Sequence, residues 1–186
     1  MAPPYAAARA FVSGFWAPGL SIGFAVHRIR PMALLRILVD GYSLLHAWPD
    51  LARGHARHSE PARDALVEVL TRYGDVVDVP VTVFFDGGGA PKGVPKTPTH
   101  PHMEVIFSPK GKTADDLIER VAYRIVRHGE ALVVTNDHAE QDTVRAFGCR
   151  ATGCEEFILD VNVALRELSE SLERHNRRER KRYRSG

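Results

Sequence analysis

Four times in this sequence an acidic residue stands at or just beyond the end of an apolar run: Ile37-Leu38-Val39-Asp40, Val83-Phe84-Phe85-Asp86, Val105-Ile106-Phe107 followed by Asp115-Asp116, and Val133-Val134-Thr135-Asn136-Asp137. Carboxylates gathered at one place repel each other, and a hard divalent cation bound through oxygen relieves that repulsion. The chemistry such a centre supports is metal-assisted hydrolysis. What must bring the acids together is a parallel sheet, because the site of an open α/β sheet lies at the carboxyl ends of its strands.

The elements fit that requirement. Short Val/Ile/Phe-rich runs alternate with helix-length amphipathic stretches, the pattern of buried parallel strands and crossover helices. Strands are expected at 36–40, 80–86, 103–107, 131–135 and 150–152. Gly41-Tyr42-Ser43 reads as a turn, followed by one helical turn over Leu44 to Trp48 that Pro49 stops. Helices are expected from Pro61 to about Tyr73 with Gly74 as the stop, from Thr113 to about His128, from Asp137 to Phe147, and from Cys154 to Arg174. Gly87 to Pro101, with prolines at 91, 95, 98 and 101, reads as a loop overhanging the same edge as Asp86.

Each acid also has an ordinary structural explanation. Thr113 to Asp116 forms a capping-box-like helix start, Asp137 suits a helix cap, and Asp86 suits an Asp-Gly turn. Asp40 ends a strand and begins no obvious helix, so a purely structural role is harder to name. Convergence is the argument for chemistry, on the premise that independent caps have no reason to share one sheet edge.

The chain of 186 residues is long enough for one domain, and 44% hydrophobic residues supply a core without disulfides. Cys149 and Cys154 therefore read as reduced structural thiols. Residues 174–186 hold seven of the 25 Lys+Arg and one of the 23 Asp+Glu, which leaves the remainder with 18 basic and 22 acidic side chains. The body is acidic and the tail basic. Ala10 to Val26 is apolar but spans only 17 residues and contains Gly14, Pro18, Gly19 and Gly23, against roughly 20 for a membrane-spanning helix. Residues 1–33 read as an extension, disordered or arising from an upstream translation start, with Met32 a natural beginning for a domain over 34–173. No membrane association is expected, and the location expected is cytoplasmic.

The order of motifs, Ile37 to Ser43, Phe85-Asp86-Gly87, Glu104 to Phe107, Thr113 to Asp116 and Thr135 to Gln141, resembles the YacP-like group of NYN-domain proteins, which are similar to PIN-domain ribonucleases. The resemblance runs from Leu35 to Leu172. It implies an α/β three-layer PIN-like sandwich, with a central mainly parallel sheet and helices on both faces, and a ribonuclease dependent on Mg²⁺ or Mn²⁺. Some bacterial relatives act as ribosome-associated messenger RNA endonucleases. Motif matching places Asp40, Asp115 and Asp137 at the acidic centre as metal ligands, with Asp86 and Asp116 beside them. Two positions depart from the family: Ser43 stands where Asn is usual, and Asp116 where Glu is usual.

The expected reaction is endonucleolytic hydrolysis of RNA, with Ser43, Gln141, Lys92, Lys96, Lys110 and Lys112 as substrate contacts and the basic tail supplying attraction to RNA or the ribosome. Two rivals stand beside it, a non-catalytic RNA-binding module of the same fold and a DNA-directed nuclease. His55, His58, His100 and His102 lack cysteine partners for a zinc site. No Walker lysine, no G-x-S-x-G and no second aspartate after Asp40-Gly41 supports nucleotide, serine or aspartyl-phosphate chemistry.

Overall fold

A computed structural model describes residues 33–52, 54–87 and 100–184. The N-terminal extension, Lys92 and Lys96 lie outside the described residues. The elements in order are β1 (Leu34–Asp40), α1 (Gly41–Ala47), α2 (Pro49–Ala52), α3 (Glu60–Val77), β2 (Val81–Phe85), β3 (Met103–Phe107), α4 (Ala114–Ile125), β4 (Glu130–Val134), α5 (His138–Ala146), β5 (Arg150–Thr152) and α6 (Cys154–Arg184).

The five strands form one sheet in the order β3-β2-β1-β4-β5, and every neighbouring pair is parallel. Side chains of successive strand residues point to opposite faces, and both faces are apolar. On one side Ile37, Val39, Val83 and Phe85 pack with Leu44 and Leu45 of α1, Leu66 and Leu70 of α3, and Phe157 and Val161 of α6. On the other, Leu38, Phe84 and Val133 pack with Ala114, Ile118 and Ala122 of α4 and Val144 of α5. All five residues of β2 are buried, as a strand covered by helices on both sides must be. Cys149 and Cys154 are free and buried on opposite faces of the sheet.

From β1 the chain works outward to β2 and β3, then returns to lay β4 and β5 on the other side. The direction of winding therefore switches between β1 and β4, and that is where a doubly wound sheet opens a crevice at its carboxyl edge. Val39 is level with Val134 in the β1–β4 pairing, so Asp40 is followed across the crevice by the Thr135-to-Asp137 turn.

Three helix boundaries differ from expectation, the first being that α6 does not end at Arg174 but runs to Arg184. α3 does not stop at Gly74 but runs to Val77 and ends on Asp78 in the left-handed region (φ 54°), a conformation Asp tolerates better than most residues. Gly74 is instead a packing residue: a Cβ there would lie 3.2 Å from the carbonyl oxygens of His102 and Val79. Likewise Gly41-Tyr42-Ser43 is no turn, because α1 begins directly at Gly41 with Asp40 as its N-cap.

The close packing of Gly41 gives a first prediction. A Cβ at this position would overlap the ring of Phe85, which is fully buried and held between Tyr42 and Phe107 at ring separations of 5.1 and 5.6 Å. Gly41→Ala is expected to destabilise the domain by about 1–3 kcal/mol, read as a lower urea midpoint at unchanged slope. An unchanged midpoint would mean that the Phe85 ring has room the structure does not give it.

Candidate metal centre

The carboxyl edge carries the acids, but not in the grouping expected. Asp40 caps α1, with one oxygen, Oδ1, accepting from the backbone N–H of Tyr42 (3.0 Å) and Ser43 (3.2 Å). Asp137 does the same for α5, its Oδ1 accepting from Ala139 (2.8 Å) and Glu140 (3.3 Å). Asp86 reaches across to the start of α4, accepting from the N–H of Ala114 (2.8 Å) and the hydroxyl of Ser108 (3.4 Å). Three of the strand-end acids thus satisfy helix N-termini, whose orphan N–H groups and positive dipole ends favour a carboxylate. The premise that caps have no reason to converge fails in this fold, because every helix following a parallel strand starts at the carboxyl edge. Convergence of caps alone is therefore no sign of chemistry.

What does point to chemistry is a tighter group. One oxygen each from Asp40, Asp115 and Glu140 lie within 4.8 Å of one another, a spacing that one cation can bridge. Asp40 brings one carboxylate oxygen to it, and of its two oxygens only Oδ1 accepts hydrogen bonds from the described residues, those of the cap. Asp115, in the first turn of α4, accepts none from them. Glu140 is 4% exposed, and neither of its oxygens meets a donor at hydrogen-bonding geometry among the described residues. A buried carboxylate without donors costs several kcal/mol unless it is protonated or paired with a cation.

The electrostatics record this strain. Burial, followed by the charges of Asp115, Asp40 and Asp137, pushes the Glu140 carboxyl up to about 7, with the neighbouring Thr135 hydroxyl pulling the other way without completing a hydrogen bond. Asp115 is raised too, by burial first and then by Asp40, Asp137, Asp86 and Glu119. Beneath them the fully buried Cys154 is pushed up to about 12, chiefly by burial and then by Asp40. Its sulfur is not one of the grouped ligand atoms.

The other expected site residues fall as follows. Asp137 stands outside the tight group, although its charge reaches both Asp115 and Glu140. Asp116 is turned to Thr113 in a reciprocal capping box (3.1 and 3.2 Å) on the exposed side of α4. Gln141 is buried, its amide donates to the Thr135 carbonyl (2.6 Å), and its oxygen accepts from Arg145 (3.1 Å). It ties α5 to the end of β4. Ser43 contributes its backbone N–H to the Asp40 cap. Lys110 and Lys112 are exposed in the turn before α4.

Glu140 is the residue that motif reading missed. The available signal was helical period: Glu140, Gln141 and Val144 share one face of α5, the buried one. An acid on a buried helix face two positions after a helix start is a stronger pointer than an acid that caps.

The family model for the YacP-like NYN domain matches residues 37–185. The uncharacterized protein YacP of Bacillus subtilis (strain 168) is 33% identical over 133 residues, which cover 71% of this chain and 78% of the relative. The crystal structure of Rae1 (YacP) from Bacillus subtilis matches with a TM-score of 0.63 at 29% identity, over 77% of this chain and 81% of that one. A tryptophan-to-leucine mutant of the same protein matches with a TM-score of 0.65 at 27% identity, over 76% and 82% of the two chains. The parallel five-stranded sheet with helices on both faces, its acidic carboxyl edge and these matches agree: the chain is a member of the YacP-like NYN domain family, with a PIN-like α/β fold.

Proposed function

We propose that this protein is a divalent-metal-dependent endoribonuclease of the cytoplasm, acting on ribosome-associated messenger RNA or other structured RNA. The observation that carries the reading is the Asp40–Asp115–Glu140 group, in which a buried carboxylate has no donor among the described residues and its two neighbours each bring a carboxylate oxygen within 4.8 Å. The donor set fits Mg²⁺ or Mn²⁺: it is all carboxylate oxygen, with no sulfur in the group. An ion bound there would supply Lewis acidity and lower the pKa of water at the scissile phosphate.

The chain's own residues do the rest. Asp40, Asp115 and Glu140 would hold the ion, and Asp137 deepens the negative potential that draws cations to the crevice. Asp86 fixes the start of α4, and with it Asp115, by its bond to Ala114. Lys110 and Lys112, exposed just before that helix, would meet the phosphates of an approaching strand. No helix among the described residues is long and apolar enough to cross a membrane. The rival of a non-catalytic RNA-binding module is disfavoured because a buried, unpartnered carboxylate would only repel a polyanion.

The test is incubation of labelled RNA and matched DNA with Mg²⁺, Mn²⁺ or EDTA. Internal cuts in RNA with either ion and none in EDTA are expected, with DNA cleaved more slowly. RNA that survives every condition, or cleavage indifferent to EDTA, would defeat the reading.

A further inference from the structure

α6 is far longer than the domain needs. Its apolar face packs on the body through Phe157, Val161 and Ala164, with Leu165 partly buried. From Ser169 to Arg178 every side chain is exposed, yet the helix continues to Arg184. Because nucleation is already provided by the packed half, the projecting half extends as the same helix rather than as an isolated peptide. Arg174 and Arg182 are steadied by Glu170 and Glu179 at 3.4 and 3.3 Å.

Its charge is organised. At 100° per residue, Arg177, Arg174, Arg178 and Arg182 fall within an arc of about 140°. Arg177 and Arg178 form no ion pair or hydrogen bond with the described residues, and with Arg174, Glu170 and Glu173 they line a shallow surface depression. The helix macrodipole favours cations only in the last turn, whereas these arginines begin nearly three turns before Arg184. A membrane-lying helix would need an apolar face opposite the charge, and there the arm has Asn176 and Glu179, with Leu172 and Tyr183 widely spaced.

We infer that the projecting half of α6 is a rigid arm that grips the phosphates of double-helical RNA at a fixed distance from the acidic crevice. Arginine is the residue suited to phosphate through paired N–H donors. The duplex is favoured over a single strand because the arginine stripe carries no aromatic residue, and single-strand binders depend on base stacking. The first residue of α6, Cys154, lies beside Asp40 and Glu140. With 1.5 Å of rise per residue, Arg174 to Arg182 stand roughly 30–42 Å along the helix from the crevice. The arm would therefore set which stretch of single strand, measured from a duplex, reaches the acids. This inference rests on the reading of the protein as an RNA enzyme, so binding and cleavage are tested separately.

Binding is measured in EDTA with the full chain, by anisotropy of a labelled 20-base-pair RNA duplex bearing a single-stranded tail, a single strand of equal length, and vesicles of phosphatidylcholine and phosphatidylglycerol. The wild type should prefer the duplex. Arg177→Gln with Arg178→Gln, at exposed positions that leave the core untouched, should weaken duplex binding about tenfold or more and reduce the salt slope by roughly 2. Unchanged affinity and slope, preference for the single strand, or binding to vesicles that these substitutions abolish while duplex binding survives, would each overturn the arm as a duplex grip. Ser169→Gly with Ser171→Gly keeps every charge but loosens the helix. Duplex affinity should persist, while in Mg²⁺ the cut positions on the tail spread from a narrow window to a broad one. A window as narrow as that of the wild type would overturn the fixed distance. If no variant cuts at all but the arginine effects hold, the nuclease reading fails and the arm stands.

Discussion

Asp40→Asn is expected to leave the fold intact and to slow metal-dependent RNA cleavage by about a thousandfold, the equivalent of roughly 4 kcal/mol at 1.36 kcal/mol per decade. The two expectations come from two roles of one side chain. Oδ1 caps α1 through Tyr42 and Ser43, and Asn is as good a cap as Asp. The carboxylate also contributes an oxygen to the group with Asp115 and Glu140, where a neutral amide weakens the hold on a cation. Asp40→Ala separates the roles, since it should lose the same activity and also about 1 kcal/mol of stability with the cap. The measurements are initial rates on labelled RNA in Mg²⁺ and urea denaturation of each variant. Wild-type rates from Asp40→Asn would place the active centre elsewhere.

Glu140→Gln should abolish cleavage and, without metal, make the protein more stable at pH 8. Burial raises the folded-state pKa of Glu140 from 4.5 to about 7. A raised pKa means that the stability linked to protonated Glu140 is complete below pH 4.5, declines as pH rises between 4.5 and 7, and is lost above about 7. The difference between those two values is roughly 3 kcal/mol, which for a chain of this size corresponds to about 6–12 °C in melting temperature. Asp115, also raised, adds to the same trend. In EDTA the wild type should therefore melt higher at pH 5 than at pH 8. Glu140→Gln should lose most of that difference, and Mg²⁺ at pH 8 should stabilise the wild type but not the variant. Calorimetry at both pH values decides it, and identical pH profiles for the two proteins would show that Glu140 is paired in solution.

The sheet and its order of elements were legible because strands buried on both faces are apolar throughout, and β2 and β4 announce themselves as Val81 to Phe85 and Ala131 to Val134. The capping box of Thr113 and Asp116 was legible for a different reason: it is a local bargain among four consecutive residues. The start of α1 was not. Gly41 looks like a turn residue until the ring of Phe85 occupies the space of its missing side chain, a contact between residues 44 apart in sequence. Gly74 misled for the same reason, since what it makes room for is the backbone at His102 and Val79. In the candidate site, Asp40 and Asp115 could be chosen by motif, but Glu140 could not, because its significance lies in burial without donors. Gln141 shows the converse: a polar residue one turn from an acid, whose amide is engaged on both sides.

The double duty of the capping acids bears on how relatives of this chain should be read. Asp40 and Asp137 hold helix starts whether or not any reaction takes place, so selection for a stable domain would keep both in a descendant that had lost its activity. Asp115 and Glu140 hold nothing in place among the described residues, and the raised pKa of Glu140 predicts a cost to stability at neutral pH. A lineage released from catalysis should discard Glu140 early, in favour of an apolar or amide side chain. In a newly found sequence of this family, then, an intact D-G-Y segment attests to a fold, and the acid three residues after the second cap is the position to check first when activity is assayed.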